Sequence, residues 1–278
     1  MKGKLIPVHE VIPEKNIIIF SPHFDDFLFM LGSYVLEMQK EEHIRNKSFH
    51  IITIFSRSNY LAGTGKRNYN TTLGRIKLAT GKRLLEDTSC IDELLGRYNY
   101  TYELMNEDEC FVRGKNLADS EMEYPHGTFK DFSNEDWQVF QRVKDCIQIY
   151  SQQKETALVF PLAFKEHIDH FITREAAVAF LKEQKEVPKA TFYFQEDKPY
   201  GGIADAAEME RAGQFIEDHG LIAKTYSCNP QKVINLAFKH YVSQVQEVYK
   251  KGILSRADML KDEVKTDRPC DRIYLYPK

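Results

Sequence analysis

Four short apolar runs restrict the possible folds of this chain more than anything else in it. They are "NIIIF" (16–20), "FHIITIF" (49–55), "ALVFPL" (157–162) and "ATFYFQ" (190–195). None alternates apolar with polar residues, so each reads as a strand buried on both faces. Helical spacing fills the intervals. An apolar helix follows at 27–41, another at 72–87 ("TLGRIKLATGKRLLED"), a third near 134–153, and a fourth from 170 to 186. Further strands are expected at "NYTYEL" (99–104), "LIAKTYS" (221–227) and "DRIYLYP" (271–277). Pro230 opens one long helix, "PQKVINLAFKHYVSQVQEVY", at the first-turn position that suits proline. Buried strands alternating with helices predict an α/β sandwich with a mostly parallel sheet flanked by helices. The 278 residues are read as a single domain over 1–278, with an irregular insertion around 98–133.

The bulk numbers exclude some functions. A net charge of -3 argues against nucleic acid. The basic stretches "KRNYN" and "KKGILSR" read as solvated faces, and no run reaches the length of a membrane span. The N-terminus lacks the apolar core of a signal peptide. Five cysteines without a CxxC pair suggest reduced thiols and a cytoplasmic location. A homo-oligomer is compatible with all of this.

In an open parallel sheet, ligands bind beyond the carboxyl ends of the strands, where the strand order reverses. Two polar clusters stand there. "SPHFDD" follows the first strand and carries His23, Asp25 and Asp26; "AFKEHIDH" follows "ALVFPL" and carries His167, Asp169 and His170. Taken singly, each has a bland alternative: Asp25 or Asp26 capping a helix, and two solvated histidines at a helix start. Taken together they offer a zinc-type ion two imidazoles and a carboxylate as ligands, with one carboxylate and one histidine left for proton transfer. "LAGTGKRN" is no P-loop, because Tyr60 stands where its leading glycine belongs and Arg67 replaces the Ser/Thr.

"SPHFDD" and "HIDH" resemble the paired signatures of the PIG-L/LmbE-like zinc-dependent N-acetylglucosaminyl deacetylases, over roughly residues 15–250. "FQEDKPYGG" and "KHYVSQ" are weaker echoes of the same family. The resemblance implies a Rossmann-like sandwich with its active site at the C-terminal strand ends. It implies a metal-dependent N-deacetylase, a hydrolase of a linear amide C–N bond in an N-acetylated amino sugar or glycoside. It implies one Zn2+, or another divalent ion, held by His23, Asp26 and His170. Asp25 would be the general base, His167 would steady the tetrahedral intermediate or protonate the departing amine, and Asp169 would orient His167. Phe24 and Phe27 depart from the family pattern without losing a ligand, whereas Lys165 and Glu166 leave open what else stabilises an oxyanion.

Arg57, Asn59 and Arg75 lie after the second strand, within reach of the same edge; Arg57 and Arg75 are candidate substrate contacts, with a surface salt bridge as the competing reading. Tyr124, Tyr200 and Phe194, read as loop aromatics, could pack on a sugar face, and Asp131 could bind its hydroxyls. Trp137 reads as core. Segment 98–133 and the "EDKPYGG" loop are expected to form the substrate walls. The alternatives are an inactive sugar-binding protein of the same fold and a metal-dependent hydrolase of another amide or ester; a phosphoester hydrolase would want more carboxylate ligands.

Overall fold

A computed structural model of the chain describes residues 4–62, 71–115 and 126–278. Its strands are β1 (Asn16–Ser21), β2 (Ser48–Thr53), β3 (Tyr100–Leu104), β4 (Thr156–Pro161), β5 (Thr191–Gln195), β6 (Ile222–Ser227) and β7 (Cys270–Leu275). The helices are α1 (Asp26–Lys40), α2 (Leu73–Leu95), α3 (Asn134–Tyr150), α4 (Ile168–Glu183), α5 (Ala206–Asp218), α6 (Pro230–His240) and α7 (Glu247–Val264). The strands form one sheet in the order β3-β2-β1-β4-β5-β7-β6. β3, β2, β1, β4 and β5 are parallel, whereas β7 runs antiparallel to both its neighbours.

The apolar runs explain the layering. Along β1, Ile17 and Ile19 join a core under α1, α2, α6 and α7, while Ile18 and Phe20 join a second core under α3, α4 and α5. A strand with both faces covered has no place for a polar residue until it ends, which is why its chemistry begins at Ser21. The chain winds from β1 outward to β2 and β3, then crosses back to β4 on the other side of β1. The switch point therefore falls between β1 and β4, the two strands that the polar clusters follow.

Three features differ from the sequence reading. The long C-terminal helix is two helices, because the chain turns at 241–246. There the Ser243 N–H donates to Glu86 (3.0 Å) instead of a helical carbonyl, and the Ser243 hydroxyl and Gln244 amide donate to the same carboxylate. α5, capped by an Asp205–Glu208 box, has no counterpart in the sequence reading. In "KKGILSR", Arg256 is buried and paired with Glu196 through two 2.6 Å hydrogen bonds, so that stretch is not simply a solvated face. "KRNYN" lies outside the described residues. Among those described, no helix is long and apolar enough to cross a membrane.

Candidate metal centre

Four residues separate β1 from α1, and the turn is held both by its own side chains and by the Ile54 and Phe55 N–H groups, which donate to the Ser21 and Pro22 carbonyls (2.9 Å each). The Ser21 hydroxyl donates to the His23 carbonyl (2.8 Å), and the His23 N–H donates to Asp26 Oδ2 (2.8 Å). The connection from β4 to α4 is longer and takes left-handed backbone at Ala163 and Glu166. Its carbonyl at Glu166 accepts the Gly127 N–H (2.7 Å). Gly127 has to be glycine, since a Cβ there would lie 2.3 Å from the Phe171 Cβ.

These two turns bring three buried donor atoms together. His23 Nδ1 lies 3.3 Å from Asp26 Oδ2, Asp26 Oδ2 lies 3.2 Å from His170 Nε2, and the two imidazole nitrogens are 3.3 Å apart. Around a tetrahedral ion with bonds of about 2.0–2.1 Å, neighbouring ligands stand about 3.3 Å apart, so the donor set fits zinc without rearrangement. The far nitrogen of each ring faces a carboxylate: His23 Nε2 is 2.9 Å from Asp169 Oδ2, and His170 Nδ1 is 3.2 Å from Asp197 Oδ1. Carboxylates in those places hold the ring protons on the far side and turn the lone pairs inward, the usual backing of metal-ligating histidines.

The charges agree with that arrangement. Burial works against a charged His23, yet Asp169 and Asp26 raise its pKa to about 9 in the metal-free protein. His170 is likewise raised against burial, chiefly by Asp26 and Asp197. Burial opposes ionisation of Asp26 and Asp169 too, but the two histidines hold Asp26, and Arg113 above all holds Asp169, well below the usual carboxylate range. An array that binds protons this readily is one a divalent cation can occupy in their place.

Asp25 occupies the cap position of α1, but its side chain makes no capping hydrogen bond, which removes the bland reading of that residue. It lines a cleft with His23, Tyr60, Arg83, Glu109, Cys110, Phe111, His167, Tyr200 and Tyr249. Burial and the neighbouring Asp26 raise its pKa to about 6 against the pull of Arg83, whose Nη2 is 3.8 Å away. Burial holds His167 well below the ordinary histidine value. Its Nδ1 accepts the Asp169 backbone N–H (3.2 Å), which leaves the remaining proton on Nε2.

Asp169 requires a correction. Its carboxylate does not orient His167; it serves His23, Arg113 (2.7 Å) and the Cys110 N–H (3.0 Å). At the start of α4 the side chain points across the switch point toward β1, and only the backbone reaches His167.

The substrate candidates divide. Tyr200 lines the cleft, with its ring 5.8 Å from that of His170. Arg57 pairs with Asp108 (3.0 Å) and Arg75 donates to the Asn59 carbonyl (2.9 Å); neither is among the cleft-lining residues. Tyr124 lies outside the described residues. Phe194 is buried within β5 rather than in a loop, Asp131 accepts a hydrogen bond from Thr128 on the surface, and Trp137 is 44% exposed and stacks on Phe129 instead of joining the core.

Sequence reasoning missed Arg83, Glu109, Arg113 and Asp197. Arg83 is buried, donating to Glu109 (2.7 Å), Ser58 (2.7 Å) and Gln244 (2.6 Å). Asp197 and Gln244 fall inside the two weak echoes and were findable there. Arg83 gave no sign, because a basic residue on a helix with a polar face looks solvated.

No family model matches the chain, and no curated protein matches it. Solved structures do. Over 94% of this chain and 97% of the other, it is similar to the zinc-inhibited form of teicoplanin deacetylase Orf2 (TM-score 0.62, 18% identity). It is similar to the A40926 pseudoaglycone deacetylase Dbv21 over 95% and 99% of the two chains (TM-score 0.58, 14% identity). The N,N'-diacetylchitobiose deacetylase of Pyrococcus horikoshii matches over 99% and 87% (TM-score 0.53, 12% identity). This chain therefore has, along nearly its whole length, the α/β fold of these solved deacetylases.

Proposed function

We propose that this protein is a zinc-dependent N-deacetylase acting on an N-acetylated amino sugar or glycoside. The observation that carries the reading is the triangle of His23, Asp26 and His170, with carboxylate-backed imidazoles, opening beside Asp25 and His167. The names of the three similar structures point the same way.

Zinc in this position supplies a Lewis acid for the acetyl carbonyl and lowers the pKa of water. The chain's residues supply the remaining steps. Asp25 takes a proton from the attacking water as the new C–O bond forms at the acetyl carbon. Burial and the neighbouring Asp26 raise its pKa in the metal-free protein, which makes it a stronger base than a free carboxylate. His167, neutral and protonated on Nε2, donates a hydrogen bond to the carbonyl oxygen as negative charge collects there. Asp25 then returns its proton to the nitrogen, the C–N bond breaks, and acetate and a free amine leave. Of the two roles open to His167, its lowered pKa and the Asp169 N–H held by its Nδ1 favour the hydrogen-bond donor over the acid.

Aromatic walls support a sugar ring as occupant. Tyr60, Phe111, Tyr200 and Tyr249 line the cleft, and Arg83 beside them is already engaged by Glu109. Residues 109–111 belong to the irregular segment expected to form a wall. We read residues 1–278 as a single domain, since one sheet runs through it, and place it in a reducing, cytoplasmic setting in keeping with five free, buried cysteines.

The test is acetate release. Metal-stripped protein, reloaded with zinc, is incubated with neutral N-acetylglucosaminides. Zinc-dependent acetate and free amine are expected. Folded, zinc-loaded protein that releases neither from any of them overturns the proposal.

A further inference from the structure

At the far end of α1 from the candidate centre, two exposed histidines and a glutamate converge. His9 sits in a short 3-10 turn (Val8–Glu10) before β1, Glu41 caps the C-terminus of α1, and His43 opens the 3-10 turn His43–Asn46. One oxygen, Glu41 Oε2, lies 3.6 Å from His9 Nδ1 and 3.8 Å from His43 Nε2, and the two rings are 4.6 Å apart between centroids. One ligand atom from each of the three residues falls within 4.8 Å of the others.

The spacing is informative. At 3.6 and 3.8 Å these contacts are too long for hydrogen bonds, whose N···O distances cluster near 2.9–3.0 Å. They are closer to the roughly 3.3 Å edge between ligands on a four-coordinate zinc with bonds of about 2.0–2.1 Å, and with the third edge within 4.8 Å, side-chain shifts on the exposed surface would close the shell.

We propose that His9, Glu41 and His43 form a second divalent-cation site that binds Zn2+, with solvent as the fourth ligand. α1 has 15 residues, so at about 1.5 Å per residue the site stands about 22 Å from the candidate centre and fills independently of it. Bound metal would join the segment before β1 to the α1–β2 connection, and would stabilise the folded chain in proportion to its occupancy.

The test uses the full chain, stripped with a chelator and dialysed against Zn2+, with zinc per chain read by emission spectrometry and folding checked by circular dichroism. The parent is expected to hold two equivalents, and His43→Ala or His9→Ala one. A His23→Ala/Asp26→Ala variant should keep the equivalent that His43→Ala removes. Replacement of zinc by Co2+ should give tetrahedral visible absorption in that double variant, lost on adding His43→Ala. Zinc content unchanged by both His9→Ala and His43→Ala overturns the proposal. A parent that holds a single equivalent, lost in His43→Ala, upholds the surface site and removes the candidate centre instead.

Discussion

The two turns that meet at the candidate centre solve the same problem by different means. After β1, the turn bearing His23 and Asp26 takes its side-chain bonds from its own six residues, and its carbonyls at Ser21 and Pro22 accept the Ile54 and Phe55 N–H groups just past β2. After β4, the turn bearing His167 is fixed from outside. The Leu162 N–H donates to the Gln195 carbonyl, the Phe164 N–H donates to Asp197 (2.9 Å), and Gly127 and Arg174 bind its carbonyls at Glu166 and Leu162. Two non-glycine residues there take left-handed backbone, at roughly 1 kcal/mol each or more. Both turns lean on neighbouring backbone, but the first is braced by its own side chains and the second by the distant side chains of Asp197 and Arg174. Damage to either should abolish function, but the second should be the more sensitive to side-chain changes far away in sequence.

The largest effects should not distinguish the turns. Ala in place of His23 or of His170 removes one of three ligands, and bound zinc at this centre and acetate release should both fall to background in metal analysis and turnover assays. Retained zinc in either variant would remove that turn from the centre. Next comes Asp25→Asn, expected to keep zinc while lowering kcat by about two to four orders of magnitude, the contribution of a general base. Near-normal turnover would assign proton transfer elsewhere.

The carboxylates behind the rings sharpen the contrast. Asp169→Asn and Asp197→Asn should each weaken zinc binding about 10- to 100-fold by competition titration. Asp197 also holds the β4 turn through Phe164, so its variant should in addition lower kcat with zinc saturating. Equal losses in both variants, confined to affinity, would mean that the second turn does not depend on its outside support. The smallest effect is expected at Gly127→Ala. The clash with Phe171 should cost about 1–3 kcal/mol in denaturant melts and loosen the His170 side while leaving the His23 turn intact. An unchanged melting curve would show that this brace is dispensable.

The same contrast explains what could be read from the sequence. Continuous apolar runs announce buried parallel strands, and a polar cluster just past such a run announces a strand-end site, because both depend on residues close together. The break between α6 and α7 could not be seen, since Ser243 and Gln244 leave the helix for Glu86, 157 residues away along the chain. Phe194 is legible as part of the strand run 190–195, and its other reading as a loop aromatic fails because its ring packs against Phe215 of α5 in the core. Arg83 looked solvated because what buries it comes from the segment after β3 and from Gln244. The carboxylate of Asp169 was given to the nearer histidine; helix geometry directs it to the farther one.

Asp169 has a consequence for how such a scaffold can change its preferences. Its carboxylate is held by Arg113 and by the Cys110 backbone, and those two residues flank Phe111, part of the cleft wall. Glu109, on the other side of Cys110, engages Arg83 in the same wall. The stretch that shapes the pocket is thereby tied to the machinery that would perform the chemistry. Redesign for a bulkier substrate should therefore leave 109–113 alone. Room is better made at Tyr200 or Tyr249, which line the same cleft from other parts of the chain.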